Sequence, residues 1–313
     1  MIPSFSIITP SYNQGHFIFA TIQSVLDQDY PALEYRIVDG GSRDQTIEIL
    51  SKFGQKLHWV SEPDLGQADA INKGFRQSGG DVLGWLNADD LYCDGALSLV
   101  AREFEADPHL MMVYGDAYHI DAEGKFLDKY HNSDFRVEAL ALGCFICQPA
   151  CLFRRELFET VGGLDTHLQY ALDLDLWIRF GIAQKSNPSW KFMYLPRVLA
   201  YSRMHRQNKT LCRREESLRE IASVVRKHFG IVPFNWVYAL EEARGGNYDG
   251  YFTKSPLRLS LVLRSLFKWG WLNRRRPNYL LTFSKDCVCS PLQSAKRLAR
   301  RTETRGWLAG RKC

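Results

Sequence analysis

Two adjacent carboxylates, Asp89 and Asp90, close the apolar run Val82–Leu86 in the stretch VLGWLNADDLY. A buried strand that ends in neighbouring carboxylates puts negative charge at the rim of a sheet, and in open α/β sheets that rim is where ligands bind. Two carboxylates so placed repel each other unless a cation or a donor relieves them. A hard divalent ion takes oxygen ligands, few from protein and the rest from phosphate and water. The chemistry expected here is a metal-bridged phosphate at Asp89–Asp90. The plainer alternative is a polar strand-to-helix turn, with Asp capping a helix that begins near Asp94.

The elements that must position these carboxylates are legible upstream. Ser4–Thr9 is a short apolar run rich in branched residues, so a buried strand, and it closes on the turn cluster Pro10-Ser11-Tyr12-Asn13-Gln14-Gly15. A helix fits Phe17–Asp27, a strand Leu33–Val38 ending in Asp39-Gly40-Gly41-Ser42, and a second helix carries Ile47, Leu50 and Phe53 inward. Leu57–Val60 reads as a strand, Glu62–Gly66 as a loop and Gln67–Arg76 as a helix before Val82–Leu86. Strand–helix alternation with short connections predicts a mostly parallel, doubly wound α/β sheet. Its strand ends (Thr9-Pro10, Asp39-Gly40, Glu62-Pro63-Asp64, Asn87-Ala88-Asp89) then fall on one edge. There Asp39 lies one strand from Tyr12, in a slot where a base could stack on the ring. The first strand is followed by no GxGxxG, and the chain has no GxxxxGK[ST], which argues against a dinucleotide fold and a P-loop NTPase.

After residue 110 the pattern changes. Met111–Tyr114, Ala117–Ile120 and Lys125–Tyr130 read as strands, the last two joined by a hairpin turn at Asp121–Gly124. Ala150–Phe153 and Val198–Ser202 are further strands, and a helix starts at Leu172-Asp173-Leu174-Asp175-Leu176-Trp177. A smaller mixed or antiparallel sheet is expected in this half. Trp177 reads as core, and Asp175 as either a salt bridge or an acceptor contact. Cys144, Cys147 and Cys151 lie in an apolar run and read as buried strand thiols rather than a zinc site.

Charge is uneven. The formal total is +5, yet residues 251–313 hold five Lys and ten Arg against one Asp and one Glu, so the body is acidic and the tail basic. Helices are expected over Glu215–Phe229, Val237–Ala243 and Pro256–Leu272. In the last of these, Leu259, Val262, Leu263, Leu266 and Trp269 form an apolar stripe opposite Arg264 and Lys268, with Arg274-Arg275-Arg276 and Lys296–Arg301 following. A basic amphipathic helix of this kind suits an anionic membrane surface, here through residues 256–301. The alternative is packing of the stripe on the rest of the chain. No nucleic-acid module is recognisable. Neither a signal pattern nor an apolar stretch of about 18 residues is seen, and the eight scattered cysteines suit a reducing compartment. The expected location is cytoplasmic, peripheral on the inner membrane face.

TPSYNQ (9–14), VDGGSRDQT (38–46), EPDLGQADAINKGF (62–75) and WLNADD (85–90) together resemble a family 2 glycosyltransferase over residues 4–210. The resemblance implies an inverting, metal-dependent GT-A type fold. It makes residues 1–110 the nucleotide-sugar half and 111–210 the acceptor half; residues 211–313, beyond it, read from pattern and charge as a helical, strongly basic region. It puts Thr9, Pro10, Tyr12 and Asn13 in the nucleotide loop, Asp39 on a uracil-type base, and Gly66, Gln67 and Asp69 beside the diphosphate. Asn87 stands where the family often has an Asp that meets the ribose. Asp89 takes the metal position, with Asp90 as a second ligand or a cap and His205 as a late ligand for Mn²⁺ or Mg²⁺. The family's GGFDE…EDxDLWxR is matched by Gly162-Gly163-Leu164-Asp165 and Asp173–Trp177, which makes Asp173 the base, with Leu172 in place of an acidic residue. Arg203 or Arg206 is a candidate diphosphate contact.

The processive QxxRW-type motif is absent, so the resemblance implies transfer of one sugar from a nucleotide-diphospho-sugar to a lipid-linked or saccharide acceptor, in cell-surface polysaccharide or glycolipid synthesis. Two other readings are a sugar-phosphate nucleotidyltransferase, for which Pro10–Gly15 lacks a basic residue, and a nucleotide-sugar-binding protein without transferase activity.

Overall fold

The computed structural model describes residues 2–245 and 258–274. Pro256, Leu257, Arg275, Arg276, the Lys296–Arg301 stretch and Cys287, Cys289 and Cys313 lie outside the described residues. The chain divides into two compact units, residues 1–213 and 214–313.

The first unit begins with β1 (Phe5–Ser11), α1 (Ile18–Leu26), β2 (Leu33–Asp39), α2 (Thr46–Ser51), β3 (His58–Ser61), α3 (Gln67–Arg76) and β4 (Val82–Trp85). A two-residue β5 (Leu91–Tyr92) and α4 (Ala96–Ala106) follow. The unit continues with β6 (Leu110–Ile120), β7 (Phe126–Lys129), β8 (Cys151–Arg154), α5 (Arg155–Thr160), α6 (Leu172–Ser186), β9 (Lys191–Arg203) and α7 (Lys209–Cys212). All nine strands join one sheet in the order β3-β2-β1-β4-β8-β6-β9-β5, with β7 on β6. The first four are mutually parallel. Strand β8 runs antiparallel to both β4 and β6, while β6 and β9 are parallel. The antiparallel strands of the second half therefore extend the first sheet rather than building a separate one.

Strand order reverses about β1: the chain winds outward through β2 and β3, then returns to β4 on the other side. A crevice at the carboxyl ends of strands opens at such a switch point. In β1 every residue is buried, because helices and loops cover both faces. Between β4, β8 and α6 the core is aromatic. Trp85 stacks on Trp177 with centroids 5.7 Å apart, and Phe153 meets Trp177 and Phe180 edge-on. Trp177 is fully buried.

Several elements of the first unit differ from the sequence reading. Strand β6 is continuous where two strands are expected, because Gly115 and Asp116 form a bulge against β9 instead of a turn. A Cβ on Gly115 would lie 2.5 Å from the Leu199 side chain, so only glycine permits this approach. Strand β9 begins at Lys191, seven residues before the expected start. Pro196 and Arg197 break its apolar run, yet they are absorbed where the register jumps from Leu195 to Val198. Finally, α4 starts after Gly95 in a left-handed conformation, with no side-chain cap, so neither Asp89 nor Asp90 caps a helix.

The second unit contains α8 (Arg214–Phe229), α9 (Phe234–Arg244) and α10 (Leu259–Asn273). Glu241, buried on α9, receives Arg244 at 2.7 Å and Lys268 of α10 at 2.6 Å. The Trp269 ring meets Phe234 edge-on, and the Asn273 side chain bonds both backbone groups of Val232. No helix among the described residues is long and apolar enough to cross a membrane.

Cys147 and Cys151 are buried, and burial pushes the Cys144 thiol up to about 12, helped by the negative charge of Asp173. Alkylation with iodoacetamide at pH 8 followed by mass spectrometry should find Cys144, Cys147 and Cys151 protected in the folded chain. Exposed Cys212 should react readily, and all four should react in denaturant.

Candidate active site

Parallel pairing of β1 and β2 puts Ser11 opposite Asp39, so the loops after both strands emerge side by side. Asn13 takes a left-handed conformation with φ 53°. Its backbone N–H donates to Ser42 Oγ at 2.7 Å, and its side-chain oxygen accepts from Arg43 N–H at 2.9 Å. Gly15 N–H donates to Asp44 at 2.9 Å. These bonds hold the Tyr12 loop against the loop after β2 and leave the Tyr12 ring 60% exposed. Asp39 is fully buried, and it accepts from Gly41 and Ser42 N–H and from the hydroxyls of Ser42 and Ser61. Its carboxylate folds the Gly40–Ser42 loop from below. Thr9 and Pro10 lie inside buried β1, and the Thr9 hydroxyl is 3.0 Å from that of Tyr35, so both shape the slot from the core side.

Gly66, at φ 112°, opens α3. A Cβ there would come 3.2 Å from the Gln169 side chain. Asp69 turns back to accept from Leu65 N–H at 3.1 Å and pairs with Lys73 at 3.1 Å, so it braces the start of α3. Gln67 Nε2 donates to Asn87 Oδ1 at 2.7 Å, and Asn87 Nδ2 donates to Asp90 Oδ2 at 3.0 Å. The Asn87 amide thus bridges α3 to the Asp pair.

The two adjacent carboxylates are divided in role. Asp90 is buried, and its Oδ1 accepts the backbone N–H of Arg203 at 2.8 Å. Burial and the neighbouring Asp89 charge both push its carboxyl well above the usual range. Asp89 faces the other way. His205 Nε2 and Asn208 Nδ2 lie 2.9 and 3.1 Å from its Oδ2. Gln207 N–H lies 3.3 Å from His205 Nδ1, so Nε2 is the ring nitrogen turned toward Asp89. Phe17 packs against the imidazole with centroids 4.5 Å apart. Arg203 does not face open space: its guanidinium donates to the carbonyls of Asp89, Asp121 and Ala122 and sits over Phe17.

On α6, Asp173 is half-buried, whereas Asp175 is fully buried and receives Arg179 at 2.7 Å. Arg179 also donates to the carbonyls of Val161 and Gly163, at 2.9 and 2.7 Å. Gly162 and Gly163 have φ of 81° and 77°, a conformation that side chains disfavour. Asn72 of α3 bonds both backbone groups of Leu164, at 2.9 and 3.0 Å. The turn at residues 161–164 is therefore fastened to α3 on one side and α6 on the other. Lys209 reaches Gln169 at 2.9 Å and lies over the Tyr170 ring, which brings a cation near Gly66.

A carboxylate and an imidazole alone fit a divalent ion that takes its remaining ligands from phosphate and water. Among the described residues no group of three or more His, Cys, Asp and Glu could hold a metal. Sequence reasoning missed Asn208, Asn72 and the Gln169–Lys209 pair. Asn208, three residues after His205 and opening α7, is the one with a local signal, a helix-capping residue type beside a candidate ligand. A shallow cleft lined by Asp81, Arg154, Arg155 and Glu159 is elsewhere, at the amino end of β4.

The family model for glycosyl transferase family 2 matches residues 6–162. The chain is 32% identical over 203 residues to a PGL/p-HBAD biosynthesis glycosyltransferase of Mycobacterium tuberculosis, spanning 63% of this chain and 76% of that one. It is 28% identical over 181 residues to chondroitin synthase of Escherichia coli, 57% of this chain but only 26% of the relative. In fold it is similar to residues 1–349 of S. aureus TarS in complex with UDP-GlcNAc, with a TM-score of 0.57 at 17% identity, covering 87% and 82% of the two chains. The mannosyltransferase PcManGT from Pyrobaculum calidifontis, in complex with GDP-Man and Mn²⁺, gives 0.54 at 18% identity over 88% and 83%. The chain belongs to glycosyl transferase family 2.

Asp90→Ala should lower unfolding free energy by about 2–3 kcal/mol, since it leaves the buried Arg203 N–H without an acceptor. Asp175→Ala should cost about 3–5 kcal/mol by stranding Arg179. Urea titration followed by tryptophan fluorescence measures both.

Proposed function

We propose that the chain transfers a single sugar, with inversion, from a UDP-linked diphospho-sugar to a hydroxyl on a lipid-linked or saccharide acceptor. The reaction belongs to cell-surface polysaccharide or glycolipid synthesis on the cytoplasmic side. The observation that carries this reading is the Asp89–His205 pair, 2.9 Å apart, at the carboxyl end of β4 beside the switch point. The fold neighbours in complex with UDP-GlcNAc and with GDP-Man and Mn²⁺ support a nucleotide-sugar donor and a divalent ion.

In this reading Tyr12 stacks on the base, above the loop that Asp39 and Asn13 shape. Gly66, Gln67 and Asn87 line the sugar and ribose. Asp89 and His205 would hold Mn²⁺ or Mg²⁺. That ion, when bound, offsets the negative charge that grows on the leaving diphosphate. Asp90 serves the site by fixing the backbone of Arg203, not as a ligand. Asp173 accepts the proton of the acceptor hydroxyl while its oxygen bonds to the anomeric carbon and the bond to the diphosphate oxygen breaks. A hydroxyl is a poor nucleophile until that proton has somewhere to go. The half-buried position of Asp173 suits a group that must meet both protein and acceptor.

Nucleotide release from a panel of nucleotide sugars, with and without Mn²⁺, tests the proposal. One donor should turn over only with the ion. Asp89→Ala and Asp173→Asn should each lose at least about 100-fold in rate, with Asp173→Asn still binding the donor. A chain that binds UDP but turns over no donor in the presence of acceptor lipid extracts is a binding protein. A chain that binds no nucleotide contradicts the site as drawn.

A further inference from the structure

Helix α10 turns a different face inward from the one its sequence suggests. Ser265, Trp269 and Asn273, spaced by four, are buried, with Val262, Leu266 and Leu272 partly so. At about 100° per residue the opposite face carries Leu259, Leu263, Phe267 and Trp271, also spaced by four. These are 73%, 58%, 81% and 57% exposed. Four large apolar side chains in one exposed line are not the scattered surface hydrophobics of an ordinary helix. Gly270 adds no bulk to this face, and its other members are Ser260, Arg264 and Arg274. The Arg274 guanidinium lies over the Trp271 ring at 4.2 Å.

Charge decides among the occupants of such a face. Helix α10 contains no Asp or Glu, and its exposed charges are arginines. A second copy docking ridge to ridge would set those arginines against each other. An anionic bilayer instead receives the apolar line below its headgroups and the guanidinium groups among its phosphates. An aromatic ring with an arginine on its face suits that boundary. In sequence, Arg275, Arg276 and the Lys296–Arg301 stretch follow and add to the positive charge of this end of the chain.

We propose that the Leu259–Leu263–Phe267–Trp271 face of α10 is a docking surface for an anionic lipid bilayer. The inference names the surface through which the proposed acceptor reading meets a membrane. It stands on the second unit alone, so it can fail while nucleotide binding holds.

The test is co-sedimentation of the full chain with vesicles of phosphatidylcholine, with and without phosphatidylglycerol. The chain should bind the phosphatidylglycerol vesicles, and the double variant Leu263→Ser/Phe267→Ser should bind them about tenfold or more weakly. Its circular dichroism and UDP affinity should match the wild type, since both side chains are exposed. Arg264→Glu/Arg274→Glu should also weaken binding. Brominated acyl chains should quench tryptophan emission in the wild type and less so in Trp271→Phe. Undiminished binding by the serine variant would show that charge alone holds the chain and would overturn the proposal. Equal binding to neutral vesicles, or self-association through the ridge without vesicle binding, would overturn it as well.

Discussion

The bond from the backbone N–H of Arg203 to the buried Asp90 carboxylate joins positions 113 residues apart in sequence. Much of the site depends on it. It continues the pairing of β5 with β9, in which Leu91 lies opposite Tyr201, and so fastens the loop after β4 to the end of β9. That pairing brings Asp89 and His205 within 2.9 Å of each other. The Arg203 side chain completes the knot by donating to the carbonyls of Asp89, Asp121 and Ala122. A buried acid next to another acid is costly on its own. Here it is met by a backbone N–H and the Asn87 amide, so the cost is offset by bonds that specify one arrangement.

A second brace fixes the turn that precedes α6. Asn72 takes both backbone groups of Leu164, and Arg179 takes the carbonyls just before it while neutralising Asp175. They fix the turn before α6 against α3, and α6 carries Asp173. Positions of the candidate residues are held here by polar bonds between elements, over an aromatic core.

The first four strands are largely legible in sequence. The end of β2 at Asp39, the end of β4 at Trp85 and the helix Gln67–Arg76 follow from runs of apolar residues broken by small polar ones, a pattern that local chemistry dictates. What was not legible depends on neighbours distant in sequence. β9 looked short because Pro196 and Arg197 interrupt it, and only pairing with β6 reveals that they sit in a bulge. The face of α10 was misjudged because Leu259 and Leu263 are as apolar as Val262 and Leu266. Choosing between two overlapping stripes needed Trp269 and Asn273 to find Phe234 and Val232. The opposed roles of Asp89 and Asp90 are invisible in a dipeptide, since adjacent residues face apart only once a backbone is fixed.

Asn87 spends both ends of its amide, accepting from Gln67 and donating to Asp90. A carboxylate in its place could still accept from Gln67 but would confront Asp90 with a third negative charge and no proton to offer. Positions 67, 87 and 90 are therefore coupled through one amide: losing Asn87 breaks both bonds at once, and substitutions at the three positions should not add independently.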